Sequence, residues 1–472
     1  MDEAKYKALT DGLEISEIKF SQLDLGDRYD SECFTKDYLN VEEKLNNIYT
    51  KKLGSLSTAV ASAFYPAATQ LYDIGDTAFV RCVDCIDYPI ISTEQDPKFE
   101  KIPLDFAKSN KGISFVKADE IVITKVGTPC YASVVYDYNE LALSRTVLGL
   151  TNIHDVDPYY LMAFLRSKYG FKQLFRQREL TIQYQLTLPR VKGVKIYIPS
   201  RDFQKTIKEL CLCYLETNKQ ADNAYKQAEN TLYEYLGCFA DNGLNSCIVK
   251  TLFDSFIQSG RLDAEYYQSK YESLMAQINT TETVSSLCKL YDSNFVPYPD
   301  HEYRYIELSN VSVSGDITNI EKIMGNDLPS RARRMVKQGQ VIVSSIEGSL
   351  SSCALIDSDY DGALCSTGFY VINSDKINSE TLLVLFKSKP IQALLKQRCS
   401  GTILSAISKD EFLNIPLPNI DLQLQKVISD KVQESFSLRK EAKRRFDNAI
   451  KAVELAIETN EGTALMWLDS QL

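Results

Sequence analysis

The chain has 472 residues, of which 44% are hydrophobic and 25% charged, and 53 basic against 63 acidic residues leave a net charge of −10. That length exceeds one ordinary core and predicts two or three domains, and the composition is that of a soluble globular protein. No run approaches the roughly 18 apolar residues that cross a bilayer, which excludes a spanning helix, and the acidic balance counts against indiscriminate nucleic-acid binding.

The N-terminus, MDEAKYKALTDGLEISEIK, has no basic region followed by an apolar run, which predicts a cytoplasmic chain. Twelve cysteines, many inside apolar runs (Cys211, Cys213, Cys353, Cys365), predict buried thiols in a reducing compartment.

In chain order, an acidic segment precedes Arg28-Tyr-Asp-Ser-Glu-Cys-Phe34, and the same Arg-x-Asp-small-Glu-x-aromatic pattern returns at Arg261-Leu-Asp-Ala-Glu-Tyr-Tyr267. Between Gly75 and Phe115 short strands and turns are expected, with Pro89, Pro97 and Pro103 breaking any helix. Val116 to Gly127 and Val336 to Gly348 each read as a turn, an apolar strand centred on Val122 or Ile342, and a polar tip, Thr124-Lys125 or Ser344-Ser345, running into glycine. Such a tip suits contact with a phosphate or a base edge; it equally suits an ordinary strand end.

Leu143 to Thr146 and Leu364 to Thr367 are paired as further strands, and Asp157 to Lys168 and Ser379 to Lys389 as amphipathic helices with Asp157 and Ser379 as N-caps and Pro158 in the first turn. Glu179-Leu-Thr-Ile-Gln183 then matches Gly401-Thr-Ile-Leu404, and the short strands Ile196-Tyr-Ile-Pro199 and Ile415-Pro-Leu-Pro418 stop at proline.

A long helix follows each. In the first, from Gln204 to Leu236, a heptad seam runs through Ile207, Cys211, Tyr214, Asn218, Ala221, Tyr225, Ala228, Leu232 and Tyr235. At a constant offset the second, 423–458, repeats it through Ile428, Val432, Ser435, Arg439, Ala442, Phe446, Ala449, Val453 and Ala456. Alanines on one side of a seam let two backbones approach closely, so an antiparallel pair is expected, with polar Asn218 and Arg439 setting register.

The predicted fold class is α+β: two similar α/β globular domains separated by two long antiparallel coiled-coil helices, an internal pseudo-two-fold repeat. The expected boundaries are 1–203 and 238–418 for the globular domains, 204–237 and 419–459 for the helices, a turn-rich joint from Gly237 to Lys250, and 460–472 as a C-terminal tail.

Charge is unevenly spread. From Arg166 to Lys208 eleven basic residues face two acids, and a second knot, Arg331, Arg333, Arg334 and Lys337, lies in a stretch without an acid between Leu328 and Ile346. Such runs are usually solvated faces, but one in each half of an acidic protein points to a polyanionic partner. Catalytic signals are absent: His154 and His301 are isolated, Cys82-Val-Asp-Cys85 lacks a second ligand pair, and no phosphate-cradling glycine loop occurs. Asp157-Pro-Tyr-Tyr160 departs from an amino-methyltransferase Asp-Pro-Pro-Tyr and reads better as a helix cap, and Pro299-Asp300 with Glu302 and Arg304 lacks a nuclease's acid pair and lysine.

The duplicated order of these landmarks resembles the specificity (S) subunit of type I restriction-modification systems. The residues carrying the resemblance are the openings at 28 and 261, Val116 to Gly127, Tyr160 to Gly170, Thr181-Ile-Gln183, the Ile-Pro endings at 199 and 418, and the Gln-Lys-x-Ile starts at Gln204 and Gln425. The resemblance implies a non-catalytic DNA-recognition subunit in phage defence, with two target recognition domains that each read half of a bipartite double-stranded site. It further implies helices that set the spacing and dock two methyltransferase (modification) subunits, and restriction subunits in the complete enzyme. It implies no cofactor in this chain, with S-adenosylmethionine, ATP and Mg used by the partner subunits.

Under that reading Arg166, Lys168, Lys172, Arg176, Arg178, Arg331, Arg333, Arg334 and Lys337 are expected on phosphates. Lys125, Arg145, Thr181, Gln183, Ser344 and Ser345, with Arg331 and Arg333, are expected near base edges. Two alternatives stay open: a scaffold that binds proteins rather than DNA, and a recognition subunit of another methylation-based defence system.

Overall fold

The computed structural model describes residues 12–18, 31–63, 69–72, 74–94, 99–128, 130–179, 185–237, 260–261, 263–312, 314–318, 320–401 and 405–471. The fold is α+β and resolves into two compact units, Met1–Glu216 with Glu441–Leu472 as unit 1 and Thr217–Lys440 as unit 2. The chain leaves unit 1 inside one long helix and returns inside another, so each unit holds half of both.

Unit 1 begins with α1 (Lys36–Asn46) and the strands β1 (Thr50–Lys52), β2 (Thr58–Ala61), β3 (Thr77–Val80), β4 (Ile90–Ile91), β5 (Lys101–Ile102), β6 (Phe115–Val116), β7 (Ile121–Thr124), β8 (Ala132–Val135), β9 (Leu141–Leu143), β10 (Val147–Thr151) and β11 (Lys195–Tyr197). They form one sheet in the order β2-β10-β7-β8-β4, a second in the order β5-β3-β9-β6, and the ribbon β1-β11. Every residue of β7 and β8 is buried, which is why β7 opens Ile-Val-Ile without alternation, and the buried Ser133 of β8 donates its hydroxyl to the Cys85 carbonyl. The stretch expected to lack helix carries two short ones, Cys82–Asp87 and Leu104–Ser109. Pro103 sits just before the second, where its missing N–H costs nothing.

Helices α2 (Pro158–Arg166), α3 (Lys168–Arg176) and α4 (Arg201–Leu236) complete unit 1's share of the chain before unit 2. Asp157 caps α2 by accepting from Tyr159 and Tyr160 N, with Pro158 in the first turn. The helix expected to run on to Lys168 breaks at Ser167, whose extended backbone ends α2 and whose hydroxyl accepts from Gly170 N to cap α3. A Cβ at Gly170 would lie 2.2 Å from the Phe164 carbonyl oxygen, so only glycine permits this elbow.

Unit 2 contains α5 (Ser269–Ile278), β12 (Lys289–Tyr291), β13 (Glu302–Ile306), β14 (Lys322–Met324), β15 (Ala332–Met335), β16 (Val341–Ser344), β17 (Cys353–Leu355), β18 (Leu364–Ser366), β19 (Phe369–Asn373), β20 (Cys399–Ser400) and β21 (Ala406–Ile407). Its helices are α6 (Ser379–Lys387), α7 (Lys389–Arg398) and the first half of α8 (Leu422–Glu458). The sheet orders are β12-β19-β16-β17 and β14-β13-β18-β15, which repeat those of unit 1 strand for strand apart from β4.

Pairing sense repeats as well. The second sheet has one parallel pair in each unit, β3 with β9 and β13 with β18. The ribbons β1-β11 and β20-β21 have single-bridge counterparts at Thr283–Pro416 and Glu179–Gln185. Before β7 and β16 the chain turns through a left-handed residue, Asp119 at φ 63° and Gly339 at φ 81°, so the exchange of aspartate for glycine preserves one backbone shape.

Details of both units differ from the sequence reading. The cap of α6 is Asn378, whose side chain accepts from Thr381 N; Ser379 lies inside the helix and its hydroxyl donates to the Gly339 carbonyl. The helix expected to run on to Lys389 ends at Lys387, because α6 breaks at Ser388 as α2 does at Ser167, and Pro390 occupies the first turn of α7. Strand β9 ends at Leu143, so Arg145 follows it in a turn.

Within unit 1, Tyr214 of α4 meets Phe446 of α8 with ring centroids 5.0 Å apart. Within unit 2, Ser435 Oγ donates to the Ala221 carbonyl at 2.7 Å and Arg439 pairs with Asp222 at 2.6 Å. Unit 1 thus holds the first half of α4 against the second half of α8, and unit 2 the second half of α4 against the first half of α8. The seam positions Ile207, Ala221, Tyr225, Ala228, Leu232, Ile428, Val432, Ala442, Phe446, Ala449 and Val453 are all buried. Tyr235 is exposed, and the partners of Arg439 are Asp222 and Asp316 rather than Asn218.

Residues 460–472, expected as a tail, form α9 (Glu461–Asp469). Ala464 and Leu468 enter the core of unit 1 and Trp467 packs against it, while the Glu461 carboxylate accepts from Ser200 N and the Tyr197 hydroxyl at 3.0 and 3.2 Å.

Two buried glutamines tie each long helix to its unit. Gln204 Oε1 accepts from Asp157 N at 2.8 Å while Nε2 donates to the Pro199 carbonyl, and Gln425 does the same with Asn378 N and the Ile420 carbonyl. Gln204→Ala strands these partners in a water-poor site and is expected to cost about 1–3 kcal/mol. Fluorescence of Trp467, the only tryptophan, should show the transition at lower denaturant; an unchanged midpoint contradicts the lock.

In unit 1, hydrogen bonds from Arg444 and Arg445 hold the Glu441 carboxyl down at about 2. A depressed folded value means the contribution is present above the ordinary value of 4.5 and is lost as pH falls through about 2. The stability gap between the parent and Glu441→Gln should therefore narrow in urea titrations as pH falls from about 5 to about 3; a gap that widens on acidification contradicts the assignment.

Candidate nucleic-acid interface

In unit 1 three segments meet at the tip of β7. Lys125 N donates to the Thr146 carbonyl at 2.8 Å, the Lys125 carbonyl accepts from Leu186 N at 3.0 Å, and Val126 bridges to Gln185. Thr124 is buried and its hydroxyl accepts from Tyr131 N, so it serves the strand end. Arg145 is exposed and Lys125 half-buried. Loss of water and the neighbouring Arg145 charge both pull the Lys125 ammonium below its ordinary pKa.

Unit 2 builds the same corner with other side chains. Ser345 N donates to the Gly368 carbonyl at 2.9 Å, the Ser345 carbonyl accepts from Ile407 N at 2.8 Å, and Ile346 bridges to Ala406. Ser344 is buried with its hydroxyl 3.0 Å from that of Ser349, and Ser345 Oγ donates to the Gly368 carbonyl at 2.9 Å. Both serine hydroxyls thus make hydrogen bonds within the strand end. Thr367 is exposed beside them, and its N–H donates to the carbonyl of Arg331. Thr181 and Gln183, and the matching 402–404, lie outside the described residues.

The basic run on α2 and α3 is engaged inside unit 1. Arg166 donates to the Ala132 and Cys85 carbonyls at 2.5 and 2.6 Å and lies over Tyr131 and Phe446, where burial lowers its pKa. Lys168 pairs with Glu458, Lys172 with Asp37 at 2.7 Å, and Arg176 with Glu42 at 2.9 Å and the Cys33 carbonyl. Arg178 lies over the Phe175 ring. The acids that answer Lys168, Lys172 and Arg176 come from far along the chain.

In unit 2, Arg331 and Lys337 are exposed, whereas Arg333 and Arg334 are half-buried and donate to the Ser330 and Tyr291 carbonyls. An open groove of about 1160 Å³, lined by Phe295, Tyr298, His301, Tyr303, Arg304 and Lys322 among others, flanks β13 and β14. Sequence reading did not find it, although aromatic residues recur from Phe295 to Tyr305. Among the described residues no group of three or more His, Cys, Asp or Glu is placed to hold a metal ion, and burial pushes the Cys82 and Cys85 thiols up, away from thiolate chemistry. No helix among them is long and apolar enough to cross a membrane.

No family model and no curated protein matches the chain. Among solved structures, it is similar to the type I restriction-modification S subunit from M. genitalium at 13% identity and a TM-score of 0.36, over 89% of this chain and 96% of that one. The HsdS subunit from Thermoanaerobacter tengcongensis matches at 12% identity and a TM-score of 0.28, over 85% and 96%. A chain of a type I R-M system studied for complex assembly matches at 12% and 0.27, over 87% and 96%. These three solved structures, two type I S subunits and a chain of a type I system, each match along most of this chain.

Proposed function

We propose that this chain is the non-catalytic, sequence-specific DNA-recognition subunit of a type I restriction-modification complex. Each unit reads one half of a bipartite duplex target, and α4 and α8 set the gap and dock two methyltransferase subunits. The observation that carries the proposal is the repetition of one strand order, one parallel pair and one strand-tip corner in both units, with different side chains at the corner. Two like frameworks bearing unlike tips suit a reader of two unlike half-sites. Helices of 36 and 37 residues reach about 54 Å at ~1.5 Å per residue, longer than one ~34 Å turn of duplex.

A scaffold that binds proteins instead is favoured by the internal pairing of the unit 1 cations and by the aromatic groove of unit 2. Selection of duplexes from a random library, with the chain held in complex with its methyltransferase partner, separates the two. The DNA-reading proposal expects two short fixed sequences at a constant gap; recovery of unselected sequence favours the scaffold.

Charge reversal of the exposed cations, Arg331→Glu with Lys337→Glu, should weaken binding to every duplex. It should also reduce the slope of log affinity against log salt by about 1 per lost phosphate contact. An unchanged slope removes both residues from the footprint.

A further inference from the structure

The corners of the two units share their backbone hydrogen bonds, so side chains can be matched without reference to sequence alignment. The residue donating across the corner is Lys125 in unit 1 and Ser345 in unit 2, and the residue before the accepting carbonyl is Arg145 in unit 1 and Thr367 in unit 2. Unit 1 therefore places two cations where unit 2 places two hydroxyls. The Lys125 ammonium is half-buried, stands beside another cation, and has no hydrogen bond or ion pair among the described residues. Bringing like charges together in a partly desolvated place is unfavourable, and an acceptor-rich ligand relieves it.

Two acceptor sources in a duplex fit, a phosphate and the O6/N7 edge of guanine. Phosphates are alike in every half-site, so a phosphate contact has no reason to differ between duplicated frameworks. A base contact does.

We infer that Lys125 and Arg145 are specificity-determining residues that read a guanine in the half-site bound by unit 1, a role that unit 2 does not share. The inference rests on the DNA-recognition reading proposed above. Lys125 is held by backbone bonds on both its N–H and its carbonyl, which fixes where its side chain leaves the strand tip, while Arg145 lies in the adjoining turn close enough for its charge to act on Lys125. Both supply donors only, matching the two acceptors on the guanine edge.

The test selects duplexes with the full chain and its methyltransferase partner, comparing the parent, Lys125→Ser with Arg145→Thr, and Arg145→Thr alone, an exposed position that carries little risk to folding. The expected result is a guanine preference in one half-site of the parent that falls about tenfold or more in the double variant and in part in the single one. The other half-site and the salt slope should stay unchanged. Equal weakening on all sequences with a slope reduced by about 1 per cation assigns the pair to phosphates and overturns the inference while leaving the DNA-recognition reading intact. A parent that selects two half-sites without guanine overturns it in the same way. A parent that selects no sequence overturns the underlying reading, and the inference with it.

Discussion

The antiparallel seam of α4 and α8 is the constraint on which the rest of the molecule depends. Within each unit, half of one helix lies on the opposite half of the other, and the same residues close that unit's core: Ile207, Cys211 and Phe446 in unit 1, Tyr225, Ala228 and Ile428 in unit 2. The seam is small where it must be close. Ser435 reaches the Ala221 carbonyl across it, a bond that larger side chains at these positions would prevent by holding the backbones apart. Polar members then fix the alignment, since Arg439 ties α8 to Asp222 of α4 and to Asp316 in the loop before β14.

A framework used twice explains which side chains repeat and which do not. Gln204 and Gln425, Ser167 and Ser388, and Asp119 and Gly339 keep backbone shapes that both units need. Arg166 and Lys387 hold the same place at the end of α2 and α6, each donating to a backbone carbonyl of its unit. At the strand-tip corner the side chains diverge while the hydrogen bonds persist, as expected where the framework is structural and the tip is in contact with something outside.

Much of this was legible in the sequence because it is local or periodic. Heptad spacing exposed the seam, Asp157-Pro158 marked the start of α2, and apolar runs marked β7 and β16. What stayed hidden depends on partners remote in the chain. The basic run from Arg166 to Arg178 looked free because Asp37, Glu42 and Glu458, which answer it, lie more than a hundred residues away. The Ser345 hydroxyl looked unengaged because its acceptor, the Gly368 carbonyl, lies on a later turn of the chain. The choice of Asn378 over Ser379 as cap turned on one residue of register, and the parallel pairing of β3 with β9 leaves no mark in a single sequence.

The central claim is that one chain carries two readers of one build, each for its own stretch of duplex. Sequencing the methylated positions of the host genome with and without this chain tests it most directly. The account predicts a chain-dependent set of modified sites made of two short fixed sequences separated by a constant number of unread base pairs. A chain-dependent site that is one uninterrupted sequence, or a methylation pattern indifferent to the chain, would contradict it.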